Sequence, residues 1–212
     1  MRSRLDGQFD EVMDLLGDPP DLNRLDAAFW ASEQGKMIAD LRPELGRMVR
    51  DSMATTATTV PILWDEVVIA EEALDWARGY TYDLVTGLNG NTQRLLQRVV
   101  PQFVETPGMT VGQLRAELEP AFGQARAQMI ATTEVTRAYS QGTDIIQRQL
   151  AAGGLEMQRI WHTSGDDRVC DICVPLNGKP ETEWAQASPM AETPPPAHPN
   201  CRCWTTLRSV RK

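Results

Sequence analysis

All four cysteines and both histidines of the 212-residue chain fall between Trp161 and Trp204. Cys170 and Cys173 make a C-x-x-C pair, and His198, Cys201 and Cys203 make an H-x-x-C-x-C cluster beyond a Pro-rich loop, Ser188 to Pro199. Thiolate and imidazole are the donors zinc prefers, each short turn can present two of them, and the intervening loop is free to fold back. The spacing predicts a zinc site drawn from Cys170, Cys173, His198, Cys201 and Cys203. Five donors exceed the four corners of a tetrahedron. The expected set is Cys170, Cys173, His198 and Cys201, with Cys203 in place of His198 as runner-up. Four protein ligands leave no corner for water, so the metal would be a structural staple, and no catalytic or organic-cofactor residues are assigned. The competing reading is reduced thiols or disulfide pairs.

Other reactive residues are set against plainer readings. A redox role for Cys170-Asp171-Ile172-Cys173 would need a preceding βαβ pattern, which is absent. A zinc-finger-like nuclease would need an Asp-His pair, and neither His162 nor His198 has one. Glu181-Thr182-Glu183 spells the E-x-E of ADP-ribosylating toxins, without the partner Arg and Ser-Thr-Ser strand. Asp166-Asp167-Arg168 after Gly165 reads as Asx-turn chemistry. Glu134 and Arg137 are three apart on a helix, either a solvated pair or a buried ion pair clamping the helix to the β cap. Trp161, Trp184 and Trp204 are expected in the core of the C-terminal part.

The elements that must position these residues are mostly helical. Apolar spacing predicts a short helix over Phe9 to Leu16, stopped by Gly17 and Pro19-Pro20. A long helix comes next, through Leu25, Phe29, Met37, Leu41, Leu45 and Val49, capped by Asp21 or Asn23, with a kink at Pro43. A third runs from Pro61 through Leu63, Val67, Ala70, Leu74 and Tyr82, ended by Gly87 to Gly90, and Asn91 caps a fourth toward Phe103. Pro107-Gly108 marks a turn, and Thr110 to Gln113 has the form of a capping box. Pro120 opens the last helix, through Ala125, Met129, Val135, Ala138, Ile146 and Leu150, stopped by Gly153-Gly154. Beyond it, Met157 to Thr163 and Cys203 to Leu207 read as strands, and Asn177-Gly178 as a hairpin turn.

Composition narrows the function. Seven basic and seven acidic side chains cancel after residue 149, so the net charge of −8 lies in the helical part. That disfavours a nucleic-acid groove there, although Arg208, Arg211 and Lys212 leave a basic tip. Neither a signal peptide nor a membrane span is visible, which predicts a protein made in a cytoplasm, where clustered thiols favour metal over disulfide.

Trp161-x-Thr163, Asp167-Arg168-Val169-Cys170-x-x-Cys173, Leu176-x-Gly178 and Pro195-Pro196-Ala197-His198-Pro199-Asn200-Cys201-Arg202-Cys203 together resemble the signature of the phage Mu protein F-like minor head proteins, the phage head morphogenesis family. Thr133-Glu134-x-x-Arg137-Ala138 and Gly142 resemble the helix preceding that signature. The resemblance covers about residues 110–207, and residues 1–105 carry no assigned motif. It implies a non-enzymatic virion protein of few copies, inside the capsid near the portal vertex and assembled in a bacterial host cytoplasm. Its implied work is head assembly, with DNA packaging or ejection beside it. The partners implied are the portal protein and the major capsid protein, with packaged DNA a further contact and no membrane. It also implies that Glu134 and Arg137 are buried and paired.

The expected fold class is α+β: a mainly helical N-terminal body with a small C-terminal β and loop-rich cap stapled by a Cys/His cluster. Residues 1–105 are expected to be a partner-docking body. Residues 106–212 are expected to be the head-morphogenesis-like domain, helical to about 152 with the Cys/His cap over 157–207. An enzyme, either a nuclease or an ADP-ribosyltransferase-like effector, and a zinc-ribbon nucleic-acid binder are the alternatives.

Overall fold

Apolar residues spaced three and four apart produce six helices of eight residues or more among the described residues, which in this computed structural model are 1–60, 64–80, 82–106 and 109–210. Pro61, Leu63, the Pro107-Gly108 turn and the basic residues Arg211 and Lys212 lie outside the described residues. Helix α1, Arg2–Leu16, begins ahead of Phe9 because Leu5 extends the buried row of Phe9, Val12 and Leu16, and Gly17 ends it at φ 71°. Helix α2, Ala27–Ala57, is capped by neither Asp21 nor Asn23. Asp21 receives the Asn23 amide in the separate turn Leu22–Arg24, while the Asp26 carboxylate receives the Phe29 amide at 2.8 Å. Pro43 lies inside α2, which continues past it.

Helix α3, Glu66–Gly79, starts at Asp65, whose carboxylate takes the Val67 amide. Its buried face is Ile69, Ala73 and Ala77; Val67 and Leu74 are exposed. Both rows have helical spacing, so periodicity alone does not choose between them. Size does: a Cβ at Gly46 of α2 would stand 3.4 Å from the Ala77 methyl, an approach that only small side chains permit. Helix α4, Asp83–Glu105, runs straight through Gly87 to Gly90, and Asn91 lies within it rather than capping it. Each helical glycine costs about 1 kcal/mol, and the burial of Val85, Leu88, Leu96, Val99 and Val100 on one face offsets that. Tyr82, expected at the end of α3, stands instead at the head of α4 with φ 55°.

Helix α5, Val111–Leu118, opens on the expected capping box: Thr110 Oγ1 receives the Gln113 amide and Gln113 Oε1 receives the Thr110 amide at 2.7 Å. After the turn Glu119–Ala121, helix α6, Gln124–Ala152, ends at Gly153 and Gly154, the latter at φ 82°. Strand β1, Met157–His162, pairs antiparallel with β2, Trp204–Ser209. Asn177-Gly178 makes a turn but not a two-stranded hairpin. Asn177 has φ −58° and ψ 123° and Gly178 φ 79°, a type II turn closed by the Lys179 amide on the Leu176 carbonyl. A hairpin of two-residue type I′ would need positive φ at both corners. The turn delivers Pro180 to a single bridge with Ile160.

The chain is thus α+β and mainly helical, with one small sheet. Two compact units emerge, Met1–Leu41 with Thr81–Ile130, and Arg42–Tyr80 with Ala131–Lys212. The first holds a core of Phe9, Val12, Leu16, Trp30, Leu96, Val99, Leu114, Leu118 and Phe122, with Phe9 stacked on Phe122 at 5.1 Å. The second holds a smaller core of Trp161, Cys173, Leu176, Trp184, Ala191, Cys201 and Cys203. No helix among the described residues is long and apolar enough to cross a membrane.

In the second unit α2 and α6 meet at Gly142. A Cβ there would stand 2.6 Å from Ser52 Cβ and 2.8 Å from the Val49 carbonyl oxygen, and Ser52 donates across the contact to the Tyr139 carbonyl at 2.6 Å. Gly142→Ala must push the helices apart and is expected to cost about 1–3 kcal/mol. A fall in the urea midpoint at unchanged m-value is the expected readout, whereas Gly90→Ala, whose Cβ would meet only Arg94 at 3.8 Å, is expected to raise it.

Candidate metal centre

The five donors converge through three local devices. After Ser164 to Arg168, a tight turn carries Cys170 to Cys173, with the Cys173 and Val174 amides both donating to the Cys170 carbonyl. The second arm turns at Pro199-Asn200, where the Cys201 amide returns to the His198 carbonyl at 3.2 Å and Asn200 takes φ 65°. Proline fits the first corner of such a turn, and asparagine is one of the few residues that tolerate a positive φ at the second. The third device joins the arms: Arg202 donates through Nη1 and Nη2 to both oxygens of Asp166, at 2.6 and 2.7 Å. Asp166 also receives the Ser164 hydroxyl and the Arg168 amide, the Asx-turn geometry its sequence predicts. Arg202 therefore holds the Asp166 carboxyl well below its ordinary value of 3.8.

Two triads of donor atoms result, Cys170 with Cys173 and His198, and Cys173 with Cys201 and Cys203, each within 4.8 Å and sharing Cys173. His198 Nε2 lies 3.1 Å from Cys170 Sγ and 3.3 Å from Cys173 Sγ, and Cys173 Sγ lies 3.9 Å from Cys201 Sγ. The edges of a tetrahedral zinc site are about 3.8 Å between sulfurs and about 3.5 Å between sulfur and nitrogen, from the usual bond lengths. These three separations are close to such edges, and each triad is a partial donor set for such an ion, the two joined at Cys173. His198 Nδ1 is 2.8 Å from the Pro199 carbonyl oxygen, which can only accept, so Nδ1 carries the proton and the Nε2 lone pair faces the thiols.

Burial sets the electrostatics. Cys173, Cys201 and Cys203 are buried, and Cys170 and His198 are partly exposed. Hydrogen bonding with Cys201 pushes the Cys173 thiol up, and hydrogen bonding with Cys173 pulls the Cys201 thiol down. Cys203 is drawn down by Cys173 but raised further by Cys201 and by burial, to about 11. Several thiolates in so small and buried a space need a cation among them. The cluster can bind a metal ion.

The remaining singled-out residues have structural partners. Glu181 receives Arg159 and Gln147 at 2.8 Å each, and Glu183 receives Lys179 at 2.9 Å, so both carboxylates of the E-x-E are engaged. His162 meets the Thr206 hydroxyl at 2.8 Å and stacks on Trp204. Trp161 and Trp184 are core, packed edge to face, but Trp204 is 43% exposed. The reason is register: Trp204 pairs with His162, one position along from the buried Trp161–Thr205 pair, and so points to the opposite face. Glu134 is fully buried, with the Tyr80 hydroxyl at 3.2 Å and Arg137 Nε at 3.9 Å.

Sequence reasoning missed the residues that tie the cluster to α6. The Asn200 amide donates to Thr133 Oγ1 at 2.8 Å, and the Thr136 hydroxyl donates to the Cys201 carbonyl at 2.7 Å. Thr133 stands in the helix string that resembles the family, but nothing there marks it as a partner of Asn200, and Thr136 has no signal beyond its three-residue spacing from Thr133. Thr136→Val removes the donor but not the shape and leaves a buried carbonyl without it. The expected cost is about 1–3 kcal/mol, seen as a lower denaturation midpoint, with Thr133→Val adding less than its single effect because both hold the same loop.

Residues 96–206, just over half of the chain, match the family described as phage Mu protein F like protein. Comparison with curated proteins and with solved structures finds no match. The matched span contains all five donors, the Asp166–Arg202 clamp and the threonines of α6 that grip the ligand loop, and the chain belongs to the phage Mu protein F-like family of phage head morphogenesis proteins.

Proposed function

We propose that the protein is a non-catalytic minor component of a phage or prophage head, built around a structural zinc held by Cys170, Cys173, His198 and Cys201. The observation that carries this reading is the gathering of soft donors from two distant arms into two triads that share Cys173. Cys203 lies beside Cys173 and Cys201 and is the reserve ligand. The zinc would supply charge and a cross-link, while Asp166–Arg202 and the His198–Pro199 contact aim the ligands. The pair Glu134 and Arg137 would act as a structural ion pair, with Tyr80 orienting the carboxylate.

The division of labour we propose is functional: residues 1–105 dock on a partner and 106–212 carry the family domain. The partner is the portal protein or the major capsid protein, and the place is the capsid interior near the portal vertex. The excess acid before residue 150 favours a protein surface over DNA for the helical part. The engagement of Glu181, Glu183 and His162 in structural contacts speaks against a nuclease or an ADP-ribosyltransferase.

Native mass spectrometry is expected to find one zinc per chain, removed by a chelator with loss of folded cap; a folded protein without metal would refute the staple. Asp166→Asn frees Arg202 from its bidentate partner and is expected to weaken zinc binding about tenfold. The pH dependence separates clamp from metal. The Asp166 carboxyl is depressed, so its contribution is fully present above its ordinary 3.8 and is lost only as pH falls through the lower folded value. Cap loss already above pH 3.8 therefore reports release of metal and not loss of the clamp. Co-expression with the portal protein of the same phage is expected to give co-purification, and separate elution of two folded proteins would count against portal docking.

A further inference from the structure

Among the described residues β2 is an edge strand, and its outer edge opens into a cleft. In an antiparallel pair, residues opposite one another alternately exchange both hydrogen bonds or turn both peptide groups outward. The Trp161 amide donates to the Lys179 carbonyl and its carbonyl receives the Gly178 amide, so Trp161 faces away from β2. Its partner Thr205 must then face away from β1, and by alternation so must Leu207, the partner of Arg159. At the far end of the ladder the Val210 amide bonds the Glu156 carbonyl, which is the phase this assignment requires.

A cleft of about 320 Å³ lies against this edge, bounded by Ser52 and Thr56 of α2, Tyr139 and Thr143 of α6, and the four consecutive residues 204–207. A strand lends alternate residues to a cavity over its face and successive residues to one along its edge. The cleft therefore runs along the edge. No charged side chain among the described residues lines it. Trp204 and Tyr139 expose aromatic surface at 43% and 41%, whereas the Thr205 hydroxyl, on a residue only 7% exposed, has no hydrogen-bond partner among the described residues.

We propose that this edge is a docking site for an extended, uncharged segment of another polypeptide, which adds to β2 as a third strand. Outward peptide groups two residues apart match the repeat of an extended backbone, which is the chemistry of strand addition. The occupant's alternate side chains meet hydroxyls and aromatic faces, so apolar and hydroxyl residues fit and charged ones do not, since a charge placed there would have no partner. Strand β2 itself carries Arg208, a charge that none of the described lining residues could pair, which sets this occupant apart from another copy of the same edge. The site goes beyond the zinc reading and does not depend on which protein the helical body meets.

The test uses the full-length zinc-loaded chain and a displayed library of random heptapeptides. Selection is expected to yield uncharged β-forming sequences, and a selected peptide is expected to slow hydrogen exchange at the Thr205 and Leu207 amides about tenfold or more, while Thr206 and Arg208, already in the ladder, change little. Leu207→Pro deletes an outward amide without removing a β1–β2 bond, and is expected to weaken peptide binding about tenfold. Thr205→Val keeps the backbone and shape but removes the unpartnered hydroxyl; about a fivefold loss of affinity in a protein no less stable is expected. Absence of any selected peptide, selection of charged sequences, protection at amides elsewhere, or unchanged binding in a folded Leu207→Pro protein would each overturn the proposal.

Discussion

The second unit depends on hydrogen bonds that run from side chains of α6 to the backbone and side chains of the segments folded beside it. Thr133 and Thr136 grip the peptide groups of Asn200 and Cys201, Gln147 reaches the Met157 carbonyl and Glu181, and Asp144 receives Arg159 of β1. These contacts come as two pairs, 133 with 136 and 144 with 147, each three residues apart on one helix face. A loop-rich cap with a core of a few residues has little apolar surface with which to fix its own orientation. The helix supplies that orientation, and Gly142 lets α2 come close enough to hold the helix in turn.

Charge then explains why the donors stay gathered. Buried thiols within bonding distance of one another resist joint ionisation, and the raised Cys173 and Cys203 express that resistance. A divalent cation reverses it by favouring the thiolate at every ligand. Asp166 and Arg202 neutralise each other a few residues from the donors, so neither adds an unbalanced charge to the cluster. The same economy appears at Glu181, where two donors and one carboxylate lock β1 to the turn beyond it.

The presence and type of nearly every element were legible in the sequence, because helical spacing and β-branched alternation are properties of the chain itself. Which face of α3 is buried was not. Val67 and Leu74 make as good a row as Ile69, Ala73 and Ala77, and the choice rests on the bare surface at Gly46. Gly87 to Gly90 looked like a stop because propensity is local, whereas the burial that carries α4 across them is not. The donor residues were visible by type and spacing. Thr133, Thr136 and the Asp166–Arg202 bridge were invisible as partners, since a side chain bonded to a remote peptide group leaves no periodic trace.

The register of the small sheet fixes an order of events. Strand β1 leaves the ribosome well before β2, and its partner residues, from Trp204 back to Met157, straddle both donor arms. Until β2 is made, one edge of β1 has no ladder and Trp161 has no strand beside it. Helix α6, already complete by then, offers Gln147 and Asp144 to this waiting segment. Closure of the cap therefore waits for the synthesis of β2, and a nascent chain halted between the two arms would carry a formed helix with an open, adhesive strand at its end.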